Sequence, residues 1–237
     1  MMCRFAGVLA FRFAFTSAVV LMAAACAMAA DAVEPFNGKD VTGWKFQGDA
    51  AKSRWVVGTV RLKDGNLQEV EVTPGGKELV NVSKSADIFT EATFGDCLVE
   101  LEVFVPKGSN SGIYLMGNYE IQIFDSFGKK EGDKHGMGAV YDKTAPKVNP
   151  VKAPGEWQKY VIDFRAPKFD AAGKKIANAR FVKVTLNGQA IHENVEVVGT
   201  TGGPMGPEVA TGPLRFQGDH GPVAYRNLWI RPLEVKP

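Results

Sequence analysis

The chain has 237 residues, among them 26 glycines and 13 prolines, and no amphipathic helix of four turns can be traced through it, which excludes a helical bundle. Its formal charge of +2 comes from the N-terminal segment: without Arg4 and Arg12, 26 of the 28 basic residues remain against 26 acidic ones. A formally neutral chain without a basic cluster argues against a nucleic-acid partner.

Residues 1–30 read as a secretory signal peptide. Arg4 and Arg12 precede an apolar run from Phe13 to Ala25, and Ala27-Met28-Ala29 has a small-x-small cleavage pattern. The run is short and carries no polar anchor, so no transmembrane span is expected. Export to the periplasm or medium follows. Cys26, after three alanines, is compatible with a lipid anchor, but Ala23 stands where such a box usually has leucine, so soluble export ranks first. Cys97 is the one cysteine outside this segment and falls in the apolar phase of Cys97, Val99, Leu101 and Val103, as a core residue. The remainder, 31–237, is read as one domain built on a single core.

Short alternating runs follow, with turn residues about every ten positions, the pattern of a sandwich or barrel of antiparallel strands. Lys63-Asp64-Gly65-Asn66 and Thr73-Pro74-Gly75-Gly76 read as turns, Leu79–Val82 as a short strand, and Thr90–Asp96 as a loop. The strand Cys97–Val105 shows Leu98, Glu100, Glu102 and Phe104 on its opposite face. A hairpin then runs from Asn110 to Ser126, with Gly117-Asn118 as its turn. Its return strand alternates Tyr119, Ile121 and Ile123 with Glu120, Gln122 and Phe124, and Asp125 follows at the strand end. The irregular stretch from Ser126 to Glu156 is long enough to form a site wall or lid. Strands are expected at Trp157–Phe164, Arg180–Leu186, Ala190–His192, Leu214–Gln217 and Ala224–Pro232. Ala166–Ala179 looks like an extended hairpin loop, Asn187-Gly188 a tight turn, and Gly199–Gly212 a Gly/Pro loop.

The ordered series FNGKDVTGW, GSNSGIYL, YEIQIFD, APGEWQKY, TLNGQAI and PLRFQGDHGPVAYRNLWIRPL resembles the 3-keto-disaccharide hydrolase domain family, formerly a domain of unknown function. The resemblance covers roughly Glu34 to Leu233. It implies a concanavalin A-like jelly roll of two antiparallel sheets. It also implies an exported enzyme that cleaves a glycoside already oxidised to a ketone at sugar carbon 3, with a separate sugar 3-dehydrogenase supplying that substrate. Met116 stands where the family often carries arginine, and the Ala166–Ala179 stretch is longer than the family's usual.

A 3-ketone acidifies the hydrogen on carbon 2. A base removes that proton, the glycosidic oxygen leaves by elimination, and water adds back to the glycal, giving net hydrolysis. Such a site needs a base, a group for the enolate oxygen and an acid for the leaving group. Glu120 or Asp125 is the expected base and His220 the acid–base partner. Asn110, Gln122, Arg215, Gln217 and Glu102 are the expected substrate-binding groups. No cofactor is required, although a divalent cation held by Glu120, Asp125 and His220 would also stabilise an enolate. Plainer readings stand beside these. His220 fits a turn, Asn110 a turn cap, Glu120 and Gln122 a solvated face, and His135 and His192 the surface. No G-x-S-x-G elbow or phosphate-binding glycine loop occurs. The alternative function is a lectin-like sugar-binding module without turnover.

Overall fold

The computed structural model describes residues 31–233; the stretch 1–30 read as a signal peptide, with Cys26, lies outside them. Fourteen strands occur, in chain order β1 (Trp44–Phe46), β2 (Trp55–Lys63), β3 (Asn66–Asn81), β4 (Ile88–Phe94), β5 (Cys97–Phe104), β6 (Asn110–Leu115), β7 (Tyr119–Phe124), β8 (Trp157–Arg165), β9 (Lys168–Phe169), β10 (Lys175–Ala177), β11 (Ala179–Leu186), β12 (Gln189–Val197), β13 (Gly212–Phe216) and β14 (Val223–Pro232). Five form one antiparallel sheet, in the order β1-β4-β13-β6-β7, seven form a second, in the order β12-β11-β8-β5-β14-β3-β2, and β9 and β10 pair as a separate two-stranded ribbon. This is the all-β jelly-roll sandwich expected of the sequence, and no α-helix occurs among the described residues. None of their helical segments is long and apolar enough to cross a membrane.

The core lies between the two sheets. Ile113, Leu115, Tyr119, Ile121, Ile123, Leu214 and Phe216 from the five-stranded sheet meet Val99, Leu101, Val103, Tyr160, Ile162, Phe164 and Tyr225 from the other. All are almost fully buried, and each large apolar side chain so placed contributes about 2 kcal/mol. Cys97 is buried with them, as its phase predicts. Burial pushes its thiol up to about 12, so it is no nucleophile.

Several local expectations are corrected. The stretch read as the loop Thr90–Asp96 contains most of β4, whose threonine-rich sequence disguises a strand held between β1 and β13. Thr73–Gly76 does not end a strand. Gly58 pairs with Glu78 and Thr59 with Thr73, so residues 74–77 bulge out of β3 and the strand resumes. A Cβ on Gly76 would lie 2.1 Å from the Thr59 nitrogen, so only glycine fits this close approach. In the central hairpin the left-handed positions are Met116 (φ 55°) and Gly117 (φ 69°), one residue earlier than Gly117-Asn118. Asn118 is held elsewhere: its Oδ1 accepts from the Met205 N–H at 3.0 Å and its Nδ2 donates to Pro207 O at 3.1 Å. Met116 is buried in the core.

The expected solvated face of the hairpin is covered. β7 ends its sheet, and an open edge is a liability. Two loops close it. The Gln122 N–H donates to Ala139 O, and the Gly138 and Tyr141 N–H groups donate to Gln122 O and Glu120 O. On the same strand the Glu120 N–H donates to Thr201 Oγ1 at 2.9 Å.

His192 anchors the first of these loops and is not a surface residue. A register shift after Val184 turns both Ile191 and His192 inward, and His192 Nε2 meets Gly138 O at 2.7 Å. Burial holds its pKa below the ordinary 6.5. The unfolded chain therefore binds this proton more readily, and the folded state loses stability as pH falls through 6.5. His192→Gln, which keeps a donor but not the titration, is expected to flatten the fall in Tm between pH 7.5 and 5 relative to wild type, read by thermal denaturation.

Candidate active site

Register assembles the site. Arg215 on β13 pairs with Phe89 on β4 and with Tyr114 on β6, and Tyr114 pairs with Glu120 on β7. Because side chains alternate, these four form a row across the sheet face turned away from the core. Arg215 and Glu120 are 3% and 2% exposed. The Arg215 guanidinium lies 3.6 Å from the centre of the Tyr114 ring. Its NH1 donates to Gln47 Oε1 and Asp87 Oδ2, each at 3.2 Å, and its NH2 donates to Gly203 O at 2.5 Å. Asp87 also accepts from the Gly218 N–H at 2.8 Å.

Glu120 is a carboxyl poised to exchange a proton near neutral pH. Burial pushes its pKa up to about 7, against the opposing effects of the Tyr114 hydroxyl and the Arg215 charge, while Asp87 and Asp219 add to the rise. Burial, then the neighbouring Glu120, raises the Tyr114 hydroxyl well above its ordinary value, so it remains a donor. Space for the Glu120 carboxyl is made by Gly112. A Cβ there would lie 2.4 Å from Glu120 Oε1 and 2.7 Å from Tyr114 Cε2, at a backbone conformation any residue adopts. Gly112→Ala is therefore expected to preserve the fold by circular dichroism while displacing these two side chains. It should lower kcat/KM at least about tenfold, as a small misplacement of a reacting group does.

In front of Glu120 lies a cavity of about 280 Å³, lined by Asn110, Tyr114, Gln122, Tyr141, Gln217 and His220 and roofed by Gly202 and Gly203. His220 Nδ1 is hydrogen-bonded to Asp219 Oδ1, which directs the other ring nitrogen elsewhere. The Asn110 Oδ1 is buried and has no protein partner.

Of the residues singled out from sequence, Glu120, Gln122, Asn110, Gln217 and His220 converge on this cavity. Three do not line it. Asp125 has the parity of Tyr119, Ile121 and Ile123, and its two oxygens accept from the Gly108 and Phe127 N–H groups at 2.9 and 3.2 Å, capping a turn. Glu102 is on β5 in the other sheet, where its Oε2 accepts from Arg226 Nε at 2.6 Å. Arg215 sits behind Tyr114, with NH1 and NH2 bonded to protein groups and Nε buried without a partner. The trio Glu120, Asp125 and His220 is thus not assembled as a cation site, and no cluster of three or more His, Cys, Asp or Glu side chains suited to a metal occurs among the described residues. Sequence reasoning missed Tyr114, Asp87 and Thr201, and had Tyr141 only as part of a loop. The parity of Tyr114 with Glu120 across the hairpin was the available signal.

The chain matches the family model described as a 3-keto-alpha-glucoside-1,2-lyase-like domain over residues 31–231. It is similar in structure to a candidate glycosyl hydrolase from Parabacteroides distasonis, with 28% identity over 86% of this chain and 84% of that one and a TM-score of 0.66. A second candidate glycosyl hydrolase from the same organism has 19% identity over 86% and 94% of the two chains, with a TM-score of 0.57, a likeness of fold alone. Among proteins of curated function none matches the chain.

Proposed function

The chain belongs to the 3-keto-alpha-glucoside-1,2-lyase-like domain family, and on that premise we propose that it is an exported carbohydrate-active enzyme that cleaves 3-keto-glycosides by elimination followed by hydration. One observation carries the reading: a buried carboxyl with a pKa of about 7 faces a polar cavity that it shares with a histidine and three primary amides. A sugar-binding floor has no need of a carboxyl held near neutrality, whereas a general base does.

In the proposed reaction Glu120 takes the proton from sugar carbon 2, and the electron pair left behind forms the enolate of the 3-ketone. The asparagine, glutamine and tyrosine donors around the cavity are suited to the enolate oxygen and the ring hydroxyls. The enolate then expels the glycosidic oxygen from carbon 1, and His220, oriented by Asp219, delivers a proton to it. Water adds across the new carbon 1–carbon 2 double bond, its oxygen to carbon 1 and a proton to carbon 2. The product is the free 3-keto sugar. A separate 3-dehydrogenase would supply the ketone.

Aglycone release from a 3-keto-glucoside by the purified protein tests this. His220→Ala is expected to lower kcat by about 100-fold or more, the usual contribution of a positioned acid–base group. Saturable binding of the keto-sugar without release by wild type would establish the sugar-binding module instead.

A further inference from the structure

A second cavity of about 380 Å³ lies beside the one already described. Asn110, Gln122 and Tyr141 line both, so the two form one groove divided at these side chains. Its remaining walls come from Phe124 at the end of β7 and from Lys129, Asp133 and His135 in the long loop. We infer that this cavity is the leaving-group subsite, shaped for a neutral sugar ring, and that the Lys129–His135 segment sets which leaving group is accepted. The inference rests on the proposed 3-keto-glycoside reading.

Four observations support it. Carbon 2 must sit at Glu120, so carbon 1 and the glycosidic oxygen are one and two bonds further on, and the leaving group must extend out of the Glu120 cavity. This neighbour shares three lining residues with it, and so offers the leaving group a continuous path. The wall is held in place: Gln122 Nε2 donates to His135 O at 3.2 Å, and the His135 N–H donates to Asp133 Oδ1 at 2.8 Å. The dividing ring is held too. The Tyr141 and His135 rings meet edge-on at 5.2 Å, and a Cβ on Gly202 would lie 2.9 Å from Tyr141 Cε1, so the second loop packs directly on that ring. Finally, the chemistry is that of a polyol site. Lys129 and Asp133 lie 3.6 Å apart and offset each other, the Lys129 ammonium stands 5.3 Å from the centre of the Phe124 ring, and amides line the floor. A uronate or phosphate would meet no net positive charge, and a flat aromatic leaving group would have to displace that ammonium.

The experiment compares a 3-keto-disaccharide with a hexose leaving group, methyl 3-keto-glucoside and an aryl 3-keto-glucoside, on wild type, Lys129→Ala and His135→Ala. The ratio of kcat/KM for the disaccharide to that for the methyl glycoside is expected to fall at least tenfold in both variants. Equal losses on all three substrates, no loss on the disaccharide, or a loss confined to the aryl substrate would each overturn the inference. Failure of wild type to cleave any of them would instead overturn the functional reading. In that event glucose alone, titrated while the ring resonances of His135 and Tyr141 are followed by NMR, decides the subsite: saturable shifts support it and their absence overturns it.

Discussion

Glu120→Gln is expected to abolish turnover and, at the same pH, to make the protein more stable. The amide keeps the shape of the side chain and can still accept from Tyr114, but it cannot take a proton from carbon. Loss of a positioned base of this kind lowers kcat about 10³-fold. The stability change follows from linkage. The folded-state pKa of Glu120 is raised from 4.5 to about 7. Below 4.5 the carboxyl is protonated in both folded and unfolded chains and contributes nothing adverse. Between 4.5 and 7 the unfolded chain gives up the proton while the folded state keeps it, so the cost accrues across this window and levels off above 7, where the folded state holds a buried carboxylate. The cost reaches about 3 kcal/mol above pH 8. Glutamine removes that cost, so the difference in Tm between variant and wild type should grow from near zero at pH 4 to several degrees at pH 8.5. Thermal denaturation across this range reads the stability, and wild-type kcat/KM should rise along a limb centred near pH 7. An inactive variant whose Tm matches wild type at pH 8.5 would show that the carboxylate is not held against its ionisation, and the base assignment would lose its physical support.

The parts of the site legible in the sequence are those fixed within one hairpin. Alternation alone puts Glu120 and Gln122 on one face, with Tyr119, Ile121 and Ile123 on the other. The same alternation assigns Asp125 to the core parity, yet its acidity made it a second candidate base; the two backbone N–H groups it accepts decide against it. Glu102 failed for a different reason. Each sheet of a sandwich has an outward polar face, and period-two patterning separates inside from outside without saying which sheet a strand joins. Asp87 and Thr201 carry no local signal. They meet the site through contacts 128 and 81 residues apart in sequence, with Arg215 and Glu120 respectively. His192 was misplaced because its burial arises from a register shift and from a loop that packs on it from more than fifty residues away.

Arg215 gives the second large expected effect, and it separates two roles for a buried cation. Sequence alone made it a substrate-binding group. Its position behind Tyr114, with NH1 and NH2 bonded to Gln47, Asp87 and Gly203, makes it a positioning residue instead. Arg215→Met strips the ion-pair partner from Asp87, whose pKa is already raised by burial, and leaves the Gly203 carbonyl without its donor. Breaking a buried pair from one side costs about 3–5 kcal/mol, which for a domain of this size lowers Tm by on the order of 10 °C. The catalytic signature is more telling than the stability loss. The Arg215 charge holds the Glu120 pKa down against burial, so its removal should move the limb of kcat/KM to higher pH. Arg215→Lys retains a charge but loses the planar stack and the fork, so it should lose stability with a smaller displacement of the limb. A guanidinium that touched substrate would behave differently: KM would rise in both variants and the limb would stay in place. That pattern would return Arg215 to the substrate-binding role that its strand position first suggested.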